Sequence, residues 1–349
     1  MLQFDQKFTI GSFEISQASP TFIIAEAGVN HGGDLDLAKR LIDIAAEAGV
    51  DGVKFQAFRT ENLILSNVEK APYQKNTTAA SESQFDMLKK LELKTEGYLE
   101  LKAYCESKNL IFLITPFDEQ SLEELEEVGV DAYKIASTDT TNLLFLRKVA
   151  QTGKPIVLST GMCDMKEVTA ALEEINPINK KLVLLQCTAN YPIEDDEANL
   201  NVIQTFKDSF DVVVGYSDHS VGLGAALYSI PMGAKVVEKH FTINKDLDGP
   251  DHLASLDPEE LKEFVIKVKQ IERYMGGFIK EPTASEFHTK KSLQKSLVAA
   301  VEITKGDVIQ EKHLIAKRTG GDGVSPIYYK SIVGTVATKD YHKDDIIYV

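Results

Sequence analysis

Short apolar runs alternate with amphipathic segments along most of the chain. Apolar residues spaced three and four apart predict helices, for example over Leu35–Ala48 and 121–128. Among these segments lie eight predicted strands, at 20–26, 51–56, 110–115, 131–136, 154–159, 180–187, 211–216 and 235–241. Eight strand–helix units in about 260 residues predict an α/β fold of the TIM (β/α)8 barrel type. An open doubly wound sheet is the alternative, but no GxGxxG motif follows a predicted strand.

The predicted barrel domain covers residues 1–277 and carries further elements. At its start, alternating apolar and polar residues predict a β-hairpin that turns at Gly11. A connection formed by residues 57–93 follows the second strand, and its length predicts a functional insertion or lid. Gly276 and Gly277, followed by Pro282, predict a linker over residues 278–292, and short β-rich runs in 293–349 predict a small second domain.

Composition limits the classes of function. The 349 residues are 43% hydrophobic, enough for a large core, and no apolar run is long enough to span a membrane. A net charge of −15 disfavours nucleic acid and anionic membranes as partners. The first residues do not resemble a signal peptide, and an odd number of cysteines, three, favours a reducing cytoplasm. We therefore expect a cytoplasmic protein whose cysteines are small buried apolar residues.

Two histidines lie at the carboxyl ends of neighbouring predicted strands, where catalytic residues collect in a parallel barrel. Because side chains alternate along a strand, Glu238 shares a face with His240, and Ser217 shares one with His219. Three carboxylates lie near these histidines in the sequence: Asp218, Glu238 and Asp251. Imidazole and oxygen ligands together suit a divalent metal. A metal site is one interpretation of this pattern, and unrelated polar residues at strand ends are the other.

Two lysines, Lys54 and Lys134, fall on the inward face of predicted strands. A lysine inside a barrel is unfavourable unless it meets an anion. Hydroxyl groups lie at the same strand ends: Thr115, Ser137, Ser159 and Ser217. Together these donors suit a small substrate that carries both a phosphate and a carboxylate.

Short motifs distributed over the whole chain resemble the sialic acid (N-acetylneuraminate) synthase family. They are AEAGVNHGGDLDLAKRLIDIAAEAG, VKFQAF, TPFD, YKIAS, KPIVLSTGM, CTANYP, GYSDHS, EKHFT and GPDHLASL. The C-terminal residues resemble the SAF, or antifreeze-like, domain of that family, with KRTG in place of its KRPG segment. Members of the family condense phosphoenolpyruvate with the open-chain form of an N-acylated hexosamine, using Mn²⁺ or Mg²⁺. The resemblance therefore implies a metal-dependent synthase that forms a carbon–carbon bond.

The resemblance also implies roles for individual residues. The implied metal ligands are His219 and His240. The implied catalytic carboxylates are Glu26, Asp139, Glu238 and Asp251, with Asp139 standing where many members carry a glutamate. The implied substrate-binding residues are Lys54, Gln56, Thr115, Lys134, Ser137, Ser159, Tyr191, Ser217 and Arg318. Arg318 matches an arginine that reaches into the barrel of a dimer partner, which implies a domain-swapped homodimer.

The acceptor sugar is predicted from the branch of the family that the motifs favour. GVNHGGDLDLAK and GPDHLASL resemble the bacterial N,N′-diacetyllegionaminate synthases, whose acceptor is 2,4-diacetamido-2,4,6-trideoxymannose. The alternatives within the family are N-acetylneuraminate synthase, which uses N-acetylmannosamine, and the synthases of pseudaminate or spore-coat sugars. Two other classes stay open: a Schiff-base aldolase that uses Lys134 or Lys54, and a glycan-binding protein without catalysis.

Overall fold

The computed structural model describes residues 2–71, 74 and 82–348. The chain divides into two compact units, residues 1–276 and 277–349. This division lies one residue before the predicted end of the barrel domain. No helix in the described part of the chain is both long enough and apolar enough to cross a membrane.

The first unit is a barrel preceded by a hairpin. The hairpin pairs β1 (Lys7–Ile10) with β2 (Phe13–Ser16). Eight parallel strands then form a closed barrel, in which the last strand pairs with the first. They are β3 (Phe22–Gly28), β4 (Gly52–Ala57), β5 (Ile111–Pro116), β6 (Tyr133–Ile135), β7 (Ile156–Ser159), β8 (Leu182–Cys187), β9 (Val213–Asp218) and β10 (Val236–His240). Each begins within two residues of its predicted start, and the TIM-barrel prediction is confirmed.

Helices surround the barrel. They are α1 (Leu35–Ala48), α2 (Thr60–Leu63), α3 (Gln84–Lys89), α4 (Thr95–Ser107), α5 (Glu119–Val128), α6 (Leu143–Gln151), α7 (Met165–Ile175), α8 (Val202–Ser209), α9 (Gly224–Ser229) and α10 (Pro258–Met275). Helix α1 has its predicted bounds because both ends carry strong signals. The Asp34 carboxylate accepts hydrogen bonds from two backbone N–H groups of the first turn, and Gly49 ends the helix in the left-handed conformation.

The hairpin closes the N-terminal end of the barrel. Its apolar side chains, Phe8, Ile10 and Ile15, are buried in one cluster with residues at or near the starts of the barrel strands. The barrel residues of this cluster include Phe22, Ile111, Val157, Val183, Val213 and Val236. Because this end is filled with apolar side chains, polar groups inside the barrel concentrate at the opposite, C-terminal end.

The long connection after β4 is anchored at both of its ends by Arg59. The Arg59 guanidinium donates to the Leu93 carbonyl oxygen at 2.9 Å and pairs with Glu124 of α5. Its backbone N–H donates to the Asp118 carboxylate at 2.8 Å. Helices α2 and α3 lie within the predicted connection 57–93, whose residues 72, 73 and 75–81 lie outside the described residues.

The second unit has its own small core. Strands β11 (Lys295–Ala299) and β12 (Leu314–Arg318) pair antiparallel, and α12 (Tyr329–Ile332) packs nearby. The buried cluster is formed by Leu297, Ala299, Ile303, Ile309, Ile332, Ala337, Tyr341 and Ile347. The other predicted β runs contribute single bridges such as Val308 with Val336 rather than strands. Helix α11 (Glu286–Leu293) occupies much of the stretch predicted as a linker, 278–292.

Candidate active site

A cavity of about 430 Å³ opens at the C-terminal ends of the barrel strands. It is the place where a parallel barrel gathers side chains from several strands. The predicted site residues that line it are Glu26, Lys54, Gln56, Thr115, Lys134, Ser137, Ser159, Tyr191, Ser217, His219, Glu238, His240 and Asp251. Residues far apart in sequence thus meet in one concave space, as the strand-end pattern predicts.

The floor of the cavity is a buried cluster of two lysines and two glutamates. Lys54 forms an ion pair with Glu26, and its Nζ lies 3.9 Å from Oε2 of Glu238. On the other side of Glu238, Nζ of Lys134 lies 3.3 Å from Oε1. The Ser217 hydroxyl donates to the same oxygen at 3.0 Å. Buried charges need partners of this kind, since unpaired ones are strongly destabilising.

The two glutamates of the floor differ in protonation. Burial raises the pKa of Glu26 to about 7, although the Lys54 ammonium opposes the shift. Burial also acts to raise the pKa of Glu238, but Lys134 and Lys54 together hold it below its ordinary value. Near neutral pH, Glu238 is therefore ionised, whereas Glu26 takes up a proton more readily.

Hydroxyl groups surround the floor. The Lys54 ammonium donates to Oγ1 of Thr115 at 3.2 Å, and the Ser137 hydroxyl accepts from the backbone N–H of Gly161 at 2.8 Å. The Ser159 hydroxyl is buried and has no hydrogen-bond partner within the described residues. Buried polar groups are normally satisfied, so this hydroxyl is available to a bound molecule.

Two histidines stand beside the floor with their ring centroids 5.4 Å apart. Nδ1 of His219 lies 2.7 Å from the Thr188 carbonyl oxygen and carries a proton there, so Nε2 is the nitrogen that can bind a metal when the ring is neutral. Burial acts to lower the pKa of His219, but Cys187 raises it overall. Nδ1 of His240 has no hydrogen-bond partner in the described residues and lies 4.0 Å from Oδ2 of Asp251. The Tyr191 ring packs against His219 with centroids 4.0 Å apart.

The chemistry of these donors fits a divalent cation. Burial, reinforced by the nearby cations, holds the pKa of His240 well below its ordinary value, so the ring is neutral and has a lone pair to give. Within the described ranges, no three His, Cys, Asp or Glu side chains converge as a ready-made metal site. Two imidazoles with Asp251 nearby would hold an ion whose remaining ligands are water or substrate oxygens.

One side of the cavity is lined by apolar side chains. Phe58 and Phe117 follow the ends of β4 and β5, and their ring centroids lie 6.4 Å apart in an edge-on arrangement. The connection after β4 adds Leu63, Ile64 and Met87 to the lining. The cavity therefore combines a charged floor with an apolar wall, which consists of these five residues.

Comparison with known proteins finds relatives over nearly the whole chain. The NeuB family model matches residues 41–280, and the SAF domain model matches residues 294–348. The N,N′-diacetyllegionaminic acid synthase of Campylobacter jejuni is 46% identical over 330 residues, which cover 94% of this chain and 98% of that protein. A protein of the same name from Legionella pneumophila is 43% identical over 319 residues, covering 90% and 89%.

A solved structure is similar over most of the chain as well. The crystal structure of an N-acetylneuraminic acid (sialic acid) synthetase from Leptospira borgpetersenii, in complex with citrate, matches with a TM-score of 0.74 at 36% identity. The match covers 84% of this chain and 99% of that one. The chain belongs to the NeuB family. The predicted resemblance to sialic acid synthases and to the SAF domain is confirmed.

One predicted catalytic carboxylate of this NeuB-family chain, Asp139, is not among the residues that line the cavity. A short 3₁₀ turn, Ser137–Asp139, follows β6 and directs Ser137 and Thr138 to the cavity instead. The Asp139 carboxylate accepts from the Asn142 amide at 3.1 Å. The structure thus gives Asp139 a place in the turn before α6 and not a contact with the cavity.

The prediction that Asp218 is a carboxylate near the metal is also wrong. Asp218 is fully buried on the opposite face of β9, where Oδ2 accepts from the Lys239 ammonium at 2.8 Å. It also accepts from the backbone N–H groups of Ser220 and Ala226. Strand alternation places Asp218 and Lys239 outside the barrel and their neighbours Ser217 and Glu238 inside.

Two features of the NeuB-family site were missed from the sequence. Cys187 lines the cavity at the end of β8, with Sγ 3.7 Å from the Ser137 hydroxyl. Burial acts to raise the pKa of this thiol, but His219 and Lys134 lower it overall. The position of Cys187 at the end of a predicted strand could have marked it as a candidate site residue. No sequence pattern predicted the apolar wall, because α2 and α3 are short and lie in an irregular connection.

Proposed function

We propose that this protein is an N,N′-diacetyllegionaminate synthase. It condenses phosphoenolpyruvate with 2,4-diacetamido-2,4,6-trideoxymannose and releases phosphate. The observation that carries the proposal is the pair of buried lysines, Lys54 and Lys134, beside two histidines in one cavity. A relative of that name, 46% identical over nearly the whole chain, supports the choice of acceptor.

The arrangement of the floor accounts for binding of the first substrate. Lys54 and Lys134 meet the phosphate and carboxylate charges of phosphoenolpyruvate, with the Ser159 hydroxyl available as a further donor. Both lysines are held in place by Glu238 before the substrate arrives, so little ordering is needed on binding.

The reaction forms one carbon–carbon bond and adds one water. Carbon 3 of phosphoenolpyruvate attacks carbon 1 of the open-chain sugar, and the aldehyde oxygen takes up a proton. Water adds to carbon 2, phosphate leaves, and a 2-keto acid is formed. Glu26, with a pKa of about 7 and a position beside Lys54, is suited to hold and transfer a proton at neutral pH.

A divalent ion, Mn²⁺ or Mg²⁺, would be held by His219 and His240 with Asp251 close by. When bound, such an ion supplies a Lewis acid that polarises the aldehyde oxygen and orients the reactants. Two contacts support this proposal. Nδ1 of His219, and not Nε2, meets the Thr188 carbonyl oxygen, and Nδ1 of His240 has no hydrogen-bond partner in the described residues.

The acceptor is tested by measuring phosphate release with phosphoenolpyruvate and a series of sugars. We expect the highest kcat/KM with 2,4-diacetamido-2,4,6-trideoxymannose, since two relatives that are 46% and 43% identical to this chain carry the matching name. A higher kcat/KM with N-acetylmannosamine would assign the protein to N-acetylneuraminate synthesis. Trapping of pyruvate by borohydride, with no need for a metal, would instead indicate a Schiff-base aldolase.

We also propose that the active protein is a domain-swapped homodimer in the cytoplasm. Arg318 is exposed at the end of β12 and forms no ion pair with any described residue. Residues 277–349 contain more Lys and Arg than Asp and Glu, in a chain whose net charge is −15, so the barrel is strongly acidic. A basic second unit is therefore suited to approach the barrel of another copy. Three unpaired cysteines support a reducing compartment.

Mixing of inactive variants tests the shared site. Arg318→Ala chains and His240→Ala chains are refolded together into mixed dimers. If Arg318 serves the partner's barrel, one site of each mixed dimer carries both changes and the other carries neither. Up to about a quarter of all sites then recover at equal mixing. If Arg318 serves its own barrel, every site keeps one change, and a verified heterodimer stays inactive.

A further inference from the structure

We propose that the apolar wall selects acceptor sugars that end in a methyl group at C6 over those that end in a hydroxymethyl group. This inference rests on the proposed function, because it concerns the acceptor of that same site. The wall consists of Phe58, Leu63, Ile64, Met87 and Phe117. It gives the cavity a preference for the 6-deoxy class of amino sugar.

The wall lies farther from the barrel interior than the charged floor does. Lys54 lies within β4, and Phe58 follows the end of the same strand. Likewise, Thr115 lies within β5, and Phe117 follows its end. Since a strand advances about 3.3 Å per residue, the phenyl rings stand nearer the mouth than the groups that bind phosphoenolpyruvate.

The five side chains of the wall are apolar, and each is buried or half-buried. Phe58 and Met87 are buried, at 1% and 4% exposure, and Leu63 and Ile64 are half-buried at the end of α2. Two side-chain amides of the same connection also line the cavity, and the Gln84 amide N–H donates to the side-chain oxygen Oε1 of Gln74 at 3.1 Å. The amides are thus engaged with each other.

The direction of the reaction fixes which end of the sugar meets the wall. The aldehyde carbon must lie at the floor, next to phosphoenolpyruvate and the two histidines. The chain of the open-chain sugar then runs outward, and C6, at its far end, reaches the outer part of the cavity. A C6 hydroxyl held against apolar side chains loses hydrogen bonds to water, whereas a methyl group there is favourably buried.

The test compares sugars that differ only by the oxygen at C6. One pair is 2,4-diacetamido-2,4,6-trideoxymannose and its 6-hydroxy counterpart, and the other is 2-acetamido-2,6-dideoxymannose and N-acetylmannosamine. For each pair of sugars that the enzyme converts, we expect kcat/KM to be about 10- to 100-fold higher with the 6-deoxy sugar. This is the range of discrimination that an apolar pocket achieves between substrates differing by one small group. Equal kcat/KM within the pair would overturn the inference.

Two matched variants locate the effect. Leu63→Gln places an amide in the wall and is expected to reduce the preference at least about fivefold, with an unchanged KM for phosphoenolpyruvate. Leu65→Gln makes the same change two residues away, at a side chain that is 74% exposed and outside the cavity lining, and should keep the full preference. If Leu63→Gln does not fold, Ile64→Thr makes a smaller polar change. An unaltered preference in the folded wall variant would refute the assignment of these residues.

This experiment separates the inference from the proposed function. The ratio within a pair tests the apolar wall, whichever acceptor the protein uses. The comparison between pairs tests the acceptor. Higher kcat/KM for the N-acetylmannosamine pair, with the 6-deoxy member still preferred, would contradict the proposed function and leave the wall intact.

Discussion

Replacing His240 by alanine is expected to abolish condensation while the protein keeps its fold. His240 lies at the end of β10, its ring centroid 5.4 Å from that of His219, in the part of the cavity proposed to hold the metal. Its Nδ1 has no hydrogen-bond partner among the described residues, so truncation leaves no buried group newly unpaired. Activity is measured by phosphate release, stability by thermal unfolding, and metal affinity by Mn²⁺ titration of the metal-free protein.

The metal titration decides the cause of the loss. His240→Ala and His219→Ala should both weaken Mn²⁺ binding, whereas His342→Ala should not, since His342 is exposed in the second unit and pairs with Glu302 at 2.7 Å. Unchanged Mn²⁺ affinity in both cavity variants would place the metal elsewhere. Full activity of either variant in chelator-treated buffer would remove these histidines from the mechanism.

Replacing Lys54 by methionine is expected to reduce kcat/KM for phosphoenolpyruvate by about 10- to 150-fold. This corresponds to the loss of a charge-assisted hydrogen bond of about 1.5–3 kcal/mol. The same change removes the cation beside Glu26 and Glu238, and breaking a buried ion pair lowers the free energy of unfolding by about 3–5 kcal/mol. Steady-state kinetics and urea unfolding measure the two effects separately.

The stability loss in Lys54→Met should grow with pH. The folded-state pKa of Glu26, about 7, lies above its ordinary value of 4.5, so its protonation stabilises the fold and stability declines as pH rises between these values. Without the ammonium of Lys54, the pKa of Glu26 rises further. The decline then extends above pH 7 in the variant, and a pH-independent difference from the parent protein would contradict this account.

Lys239→Met is the matched control for the anion site. Lys239 is also a buried lysine of a barrel strand, but it pairs with Asp218 on the outer face. We expect a comparable loss of stability, about 3–5 kcal/mol, with an unchanged KM for phosphoenolpyruvate. If Lys54→Met also kept its KM, phosphoenolpyruvate would bind elsewhere in the cavity.

The sequence predicted side-chain positions best where the backbone conformation is regular, as in the barrel strands. Strand alternation predicted that Glu238 and His240 point inward and Lys239 outward, and the structure has this arrangement. By the same alternation, Asp218 and His219 point to opposite faces of the barrel wall. Nearness in sequence was therefore a poor guide to the proposed metal site. The strand-end positions of Lys54 and Lys134 follow from the same periodicity. Their roles in binding, like those of the histidines, stay predictions until measured.

The sequence was least informative where the backbone is irregular. The 3₁₀ turn after β6 rotates Asp139 away from the cavity, and no periodic pattern predicts that rotation. The apolar wall is assembled from two short helices and two strand ends, and the position of α2 depends on contacts made by Arg59 with distant residues. Such contacts between segments far apart in sequence are set by tertiary packing, which local patterns do not report.

The hairpin that fills the N-terminal end of the barrel determines how the chain can fold during synthesis. Phe8, Ile10 and Ile15 leave the ribosome before the barrel strands do, and Val236, one of the side chains in their cluster, is made more than two hundred residues later. Strand β10 must also be complete before it can pair with β3. Until then, apolar side chains and two strand edges stay uncovered, which exposes the nascent chain to aggregation. A chain truncated before β10 is therefore expected to yield an insoluble fragment and not a smaller barrel.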